Sequence, residues 1–249
     1  MFDNLPIASV LVTYVAMLFS LSVHEASHAA AAYVLEDDTA KRLGRLTLNP
    51  VAHMDLLGTV ILPLIGMFTG LRVLGWAKPV PVDPRNLTRK FRQRVAMAMV
   101  AGAGPASNLL LSLLFLPILA IFIRVEFPVE IREGIFYSAM GLPVERFLGS
   151  GKLSTLHVFT LTMLGRLVII NVSLAIFNLL PVGPLDGASI LRGFLPWRWL
   201  ATFDRIQPTI SIVLLVMFLF GFIGIILGPF FYLADTFYIG PFSRLILGV

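Results

Sequence analysis

The sequence has no cysteine, only four histidines, and few charges: 13% of its 249 residues are Asp, Glu, Lys or Arg, against about 25% in a typical soluble domain. Without cysteine there is no disulfide framework, and thiolate metal ligands are excluded. The charges sit in short clusters between apolar runs, and no polar block is long enough to form a separate soluble domain. There is no internal repeat and no low-complexity segment. What is abundant is apolar: 57% hydrophobic residues, with a mean hydropathy of +0.89. This composition is that of an integral membrane protein. The net charge of +5 is spread beside apolar segments and not gathered in one patch, so its partners are expected to be the lipid bilayer and its anionic headgroups, with no nucleic acid. No basic region precedes the first apolar stretch, so a retained first helix is expected in place of a cleaved signal peptide.

The fold class expected is an all-α integral membrane protein, a polytopic helical bundle with about four full spans plus a re-entrant element at 48–76. The spans fall at about 5–35, 95–123, 155–180 and 209–232. A helix rises ~1.5 Å per residue, so each can cross a ~30 Å hydrocarbon core. The stretch Leu48–Trp76 carries Pro50, Gly58, Pro63, Gly66 and Gly70, which suit a broken or re-entrant element. Residues 124–154 read as interfacial. The whole chain, 1–249, is expected to be one membrane-embedded unit, with its core at about 5–190.

Chemistry concentrates in His24-Glu25-Ala26-Ser27-His28. Two histidines four apart on a helix place both imidazoles on one face, within reach of one metal ion. Glu25 stands next to the first, where it can act on a water and not as a ligand. This is the HExxH arrangement of zinc peptidases. Its surroundings are apolar on both sides, and ionisable groups in such a helix are costly enough to be functional by default.

A catalytic zinc site usually takes three protein ligands and keeps one position open. With thiolates excluded, the third is His, Asp or Glu. Glu36, Asp37, Asp38, Asp83, Glu126, Glu130, Glu133, Glu145 and Asp204 lie in polar connections and read as solvated; Asp235 and His157 read as interfacial. Asp186 follows Asn178-Leu179-Leu180-Pro181 at the end of a span, with Pro184 and Gly187 around it. Irregular backbone at that depth must face protein or a water-filled cavity. Asp186 is therefore either the third ligand or a satisfied turn aspartate, and the setting favours the ligand.

The HExxH helix and the stretch Asn178–Gly187 together resemble the paired signature of the site-2 protease family of intramembrane zinc metalloproteases. Gly104-Pro105-Ala106-Ser107-Asn108 resembles that family's GxxxN element. Leu48-Asn49-Pro50, His53, Asp55, Gly58 and Gly75–Pro81 resemble its compact prokaryotic branch, which has no PDZ domain. The resemblance covers roughly residues 20–190. It implies that His24, His28 and Asp186 hold one catalytic Zn2+ and that Glu25 is the base. It also implies that Asn178 and Asn108 help to position substrate or the developing oxyanion. His53 either lines the site or caps the start of the apolar run, and the resemblance tips it toward the site. Lys78 either contacts the site or snorkels to the interface.

Bringing His24, His28 and Asp186 together requires the C-terminal ends of the first and third spans to face one side. A re-entrant 48–76 element satisfies that parity. It also places Lys41, Arg42, Arg45, Lys78, the cluster Arg85–Arg94, Arg192, Arg198 and Arg205 on one side, and Arg124, Arg132, Arg146, Lys152 and Arg244 on the other. The positive-inside rule then makes the first side cytoplasmic. The expected protein is a multi-pass cell-membrane protease with its site nearer the cytoplasmic face, cleaving transmembrane protein substrates in regulated intramembrane proteolysis. The competing readings are a divalent cation transporter and a non-catalytic zinc-holding membrane scaffold. A transporter needs polar groups along a whole path, and a structural zinc needs a fourth protein ligand.

Overall fold

The computed structural model describes residues 7–69, 75–141 and 154–248. Among them every regular element is helical, as expected of segments that must satisfy their own backbone in lipid. In chain order these are α1 Ile7–Val34, α2 Thr39–Arg42, α3 Pro50–His53, α4 Leu62–Thr69, α5 Gln93–Glu126 and α6 Val129–Gly141. They are followed by α7 Thr155–Asn178, α8 Asp186–Phe194, α9 Trp197–Leu219, α10 Ile223–Ala234 and α11 Gly240–Leu247. Short π-helical turns, Leu56–Ile61 and Asp235–Ile239, lead into α4 and α11. The all-α polytopic class expected from composition is the class found. Of the charge and helix-breaker assignments, Gly70, Glu145, Arg146 and Lys152 lie outside the described residues.

Five helical stretches are long and apolar enough to cross a membrane: Ala8–Val34, Gln93–Glu126, Thr155–Asn178, Trp197–Leu219 and Ile223–Leu247. The first three match the expected spans. The end of the chain differs: two long helices stand where one span over 209–232 was expected. The cause is Gly221. It adopts φ +82°, its N–H donates to the Phe218 carbonyl, and the next N–H, of Phe222, donates to Met217. That is a Schellman stop, which a residue with a Cβ adopts at a steric cost.

Within its described residues, 48–69 and 75–76, the stretch Leu48–Trp76 is broken between Pro50–His53 and the helical run that starts at Leu56. Asn49 caps α3 and Asp55 caps the π-helical turn, accepting from the backbone N–H groups of Leu57 and Gly58. The helical stretch Leu56–Thr69 rises only about 21 Å, short of a ~30 Å core.

The described chain groups into two compact units. One comprises residues 1–20, 109–173 and 229–249. Within it Asn171 Nδ2 donates to Ser20 Oγ at 2.9 Å, and the Phe19 and Phe115 rings meet edge to face. Arg124 and Arg132 donate to the carbonyls of Ile246 and Leu247, neutralising the negative end of α11. The other unit comprises 21–108 and 174–228. Its buried cluster of Ala32, Leu35, Leu87, Ala96 and Val100 fixes the end of α1 against the start of α5. Asp37, read from sequence as solvated, is fully buried here and accepts from the Thr39 and Asp83 amides.

Along α1 every fourth residue from Val12 to Ala32 is buried: Val12, Ala16, Ser20, His24, His28, Ala32. Small and polar residues on an i+4 ridge let neighbouring helices approach closely in an apolar medium. Leu11, Val15 and Phe19 face outward. The histidine pair sits on this inward ridge.

Candidate metal centre

His24 and His28 are buried one turn apart on α1, with Nε2 atoms 3.0 Å from each other. Each ring is oriented from behind. His24 Nδ1–H donates to Asn108 Oδ1 at 2.6 Å, and His28 Nδ1–H donates to the Val100 carbonyl at 2.8 Å. Both partners belong to α5. Such hydrogen bonds select the tautomer whose Nε2 lone pair points away from the donor side.

The approach of α5 depends on Gly104. A Cβ at that position would stand 2.5 Å from His24 Cε1 and closer still to His28 Nε2. The small-residue run therefore does more than permit helix contact: its glycine faces the imidazoles directly.

Asp186 opens α8, where the positive end of the helix favours a carboxylate. Its Oδ2 lies 3.1 Å from His24 Nε2 and its Oδ1 lies 3.4 Å from His28 Nε2. The turn before it is clamped from α9. Gln207 Oε1 accepts from the Gly183 N–H at 2.7 Å, Gln207 Nε2 donates to the Pro181 carbonyl at 3.2 Å, and Ser211 Oγ donates to the Gly183 carbonyl. The Gly183–Pro184 peptide is cis. Gly187 is required next to Asp186, because a Cβ there would run into the carbonyls of Leu179 and Leu180.

The three ligand atoms fit one metal ion. With both imidazoles neutral and their protons on Nδ1, both Nε2 atoms are bare, and Asp186 Oδ2 is a buried oxygen without a hydrogen-bond donor. Three lone pairs then converge with no proton among them, an arrangement stable only around a cation. Tetrahedral zinc with ligand bonds of 2.0–2.1 Å sets its ligands about 3.3 Å apart, close to the observed 3.0–3.4 Å. Among the described residues this is the one cluster of three or more such side chains able to hold a metal.

Glu25, next to His24 on α1, is half-buried. Its Oε2 accepts from the Val80 N–H at 3.2 Å. Asn178 is the last residue of α7 and donates back to the Leu174 carbonyl, half-buried. His53 is buried, but its Nε2 goes to the Thr47 carbonyl and it is not among the converging ligands. Lys78 is exposed, while its backbone N–H and carbonyl are both bonded. The groups that sequence reasoning missed are Arg45, the Val80 amide, and the Gln207–Ser211 clamp. Pro79-Val80-Pro81 carries a usable signal, since Val80 is the one residue of the three with an N–H to give.

Comparison with known proteins bears on this geometry. The model of Peptidase family M50 matches residues 12–222. A Bacillus subtilis (strain 168) protein named "Putative zinc metalloprotease YwhC" is 31% identical over 204 residues, covering 82% of this chain and 78% of that protein. No solved structure matches.

Proposed function

We propose a reaction from the premise that this chain belongs to peptidase family M50, the site-2 protease family its motifs resemble. It is a metalloprotease with membrane-length helices, and zinc is the metal its family implies. The proposed activity is hydrolysis of a peptide bond in or near the transmembrane segment of a membrane-anchored substrate. The observation that carries it is the convergence of His24 Nε2, His28 Nε2 and an Asp186 carboxylate oxygen, with Glu25 on the same helix turn.

His24, His28 and Asp186 would hold one zinc ion, which when bound acts as a Lewis acid and lowers the pKa of its water toward about 7. Glu25 takes the proton of the attacking water and returns it to the leaving amine. The Val80 N–H holds one oxygen of Glu25 and leaves the other for that transfer. Asn178, at the end of α7, is the proposed donor to the oxyanion; such a donor is worth about 10²–10³ in rate. Asn108 has its Oδ1 committed to His24, so its proposed role is to orient that ligand. A substrate helix must unwind before attack, because its carbonyls are bonded internally. The segment 75–80, which has no helix or strand of its own, would receive the unwound strand by main-chain pairing. The proposed orientation, with the site nearer the cytoplasmic face, rests on the asymmetry of Lys and Arg between the connections.

The test is Glu25→Gln in the full-length protein, reconstituted in liposomes with a synthetic single-span peptide. The variant should keep one zinc per chain and lose cleavage. Cleavage that survives in Glu25→Gln rules out the base assignment. Cation flux through the parent without any cleavage would favour the transporter.

A further inference from the structure

Arg45 is 7% exposed, and among the described residues no carboxylate lies within ion-pair distance of it. A buried cation without a counter-charge is costly unless its donors are well satisfied. Its two Nη groups go to backbone carbonyls, while Nε is buried without a partner. Nη2 donates to Lys78 at 2.6 Å and to Pro79 at 3.1 Å, and Nη1 donates to Ala52. The chain aims this side chain with a Schellman stop: Gly44, at φ +69°, ends α2, and the Arg45 N–H donates to Ala40.

The segment that Arg45 gathers has no helix or strand of its own. It is laid along the 53–59 stretch by three bonds. Trp76 N–H donates to Gly58, Lys78 N–H donates to His53, and Thr59 Oγ1 donates to the Trp76 carbonyl. Past Lys78 those bonds stop. Arg45 takes over at the carbonyls of Lys78 and Pro79, and the following N–H, of Val80, meets Glu25 at 3.2 Å. Proline on either side of Val80 removes every alternative donor within the triplet.

We propose that Arg45 is a positioning residue for the cleavage reaction: it fixes the strap 78–80 so that the Val80 N–H holds Glu25 in one orientation beside His24 and His28. The planar fork of arginine reaches two successive carbonyls from one nitrogen and a third from the other, which the single ammonium of lysine does less completely. This proposal rests on the reading of Glu25 as the base.

The experiment uses the full-length enzyme, a synthetic single-span peptide with a Gly-Pro pair in its span, metal analysis, and hydrogen exchange over residues 76–80. Arg45→Ala should speed exchange in that segment, keep one zinc per chain, and lower kcat about 10–100-fold, the usual cost of losing a supporting partner. Arg45→Lys should recover part of the loss. Val80→Pro removes the donor to Glu25 without touching Arg45, and should lose the same kcat while the Trp76 and Lys78 amides stay protected. Unchanged kcat with a freed strap, or full kcat in Val80→Pro, overturns the proposal; Val80→Pro decides it even where Arg45→Ala does not fold. Cleavage by Glu25→Gln alone is a separate result, and refutes the base assignment instead.

Discussion

Asn108 Oδ1 lies 2.6 Å from His24 Nδ1, and both residues are buried on facing helices. The amide oxygen can only accept, so the imidazole carries a proton on Nδ1, and the neutral ring presents Nε2 as a lone pair. Asn108→Ala should therefore weaken zinc binding about 10–100-fold, measured by competition with a chelator. Asn108→Asp keeps the acceptor and should retain most of the affinity. Equal loss in both variants would show that packing, and not the acceptor, matters at 108.

Gly104 makes a sharper prediction, because both imidazoles that a methyl group there would meet are held from behind, at Asn108 and Val100. Gly104→Ala puts a methyl group against His24 and His28. The variant should fold, since Ala favours a helix over Gly by about 1 kcal/mol, yet should bind less than one zinc per chain. Helicity by circular dichroism together with zinc content by metal analysis separates the two effects. A Gly104→Ala protein with full zinc would mean that α5 can withdraw from α1.

Much of the site was legible because ligand chemistry dictates residue type and helix geometry dictates spacing. His24 and His28 could be read together from their four-residue spacing, and Asp186 as a candidate from the irregular turn around it. The supporting contacts were not legible for a physical reason. Val100, Ala52, Lys78 and Val80 act through backbone groups, which every residue carries and no pattern marks. The resemblance implies that Asn108 helps to position substrate or the oxyanion; its Oδ1 accepts from His24, a direction that an amide does not show in sequence. Asp37 was read as solvated with Glu36 and Asp38, and only the structure shows that it alone turns inward. The second long helix at the end was hidden because Gly221 sits in an unbroken apolar run, where hydropathy outweighs one turn signal.

Removing the metal should leave lone pairs of His24, His28 and Asp186 facing one another at 3.0–3.4 Å. Treatment with 1,10-phenanthroline should release one zinc per chain and lower the thermal unfolding midpoint. Zinc at 1,000 times its Kd stabilises the folded state by about 4 kcal/mol. Restored zinc should reverse the shift, whereas Mg2+ should not, since it prefers six oxygen ligands. Asp186→Asn should show the lowered midpoint without chelator. A midpoint insensitive to both treatments would place the metal elsewhere.

The turn beyond the histidine helix predicts an acid sensitivity of its own. Asp37 Oδ1 accepts from the Thr39 N–H and hydroxyl and from Asn86, while Oδ2 accepts from the Asp83 N–H at 2.8 Å. Burial alone would raise this carboxyl, but the hydrogen bonds from Thr39, Asp83 and Asn86 outweigh it and hold the group below its ordinary 3.8. A depressed folded-state pKa contributes stability that is complete above the unfolded value and is lost as pH falls through the folded one. Asp37→Asn should therefore unfold at a lower temperature than the parent at pH 7, a loss of about 3 kcal/mol for a buried charged acceptor. The difference should shrink as pH falls below about 4. A gap that stays constant down to pH 3 would show that shape, and not charge, does the holding. The same contact reaches further than stability: Asp37 fixes Asp83, just beyond Pro81, as Arg45 fixes Lys78 and Pro79 before it. The strap that meets Glu25 is thus tied at both ends, so loosening either tie should reduce turnover before it reduces zinc content.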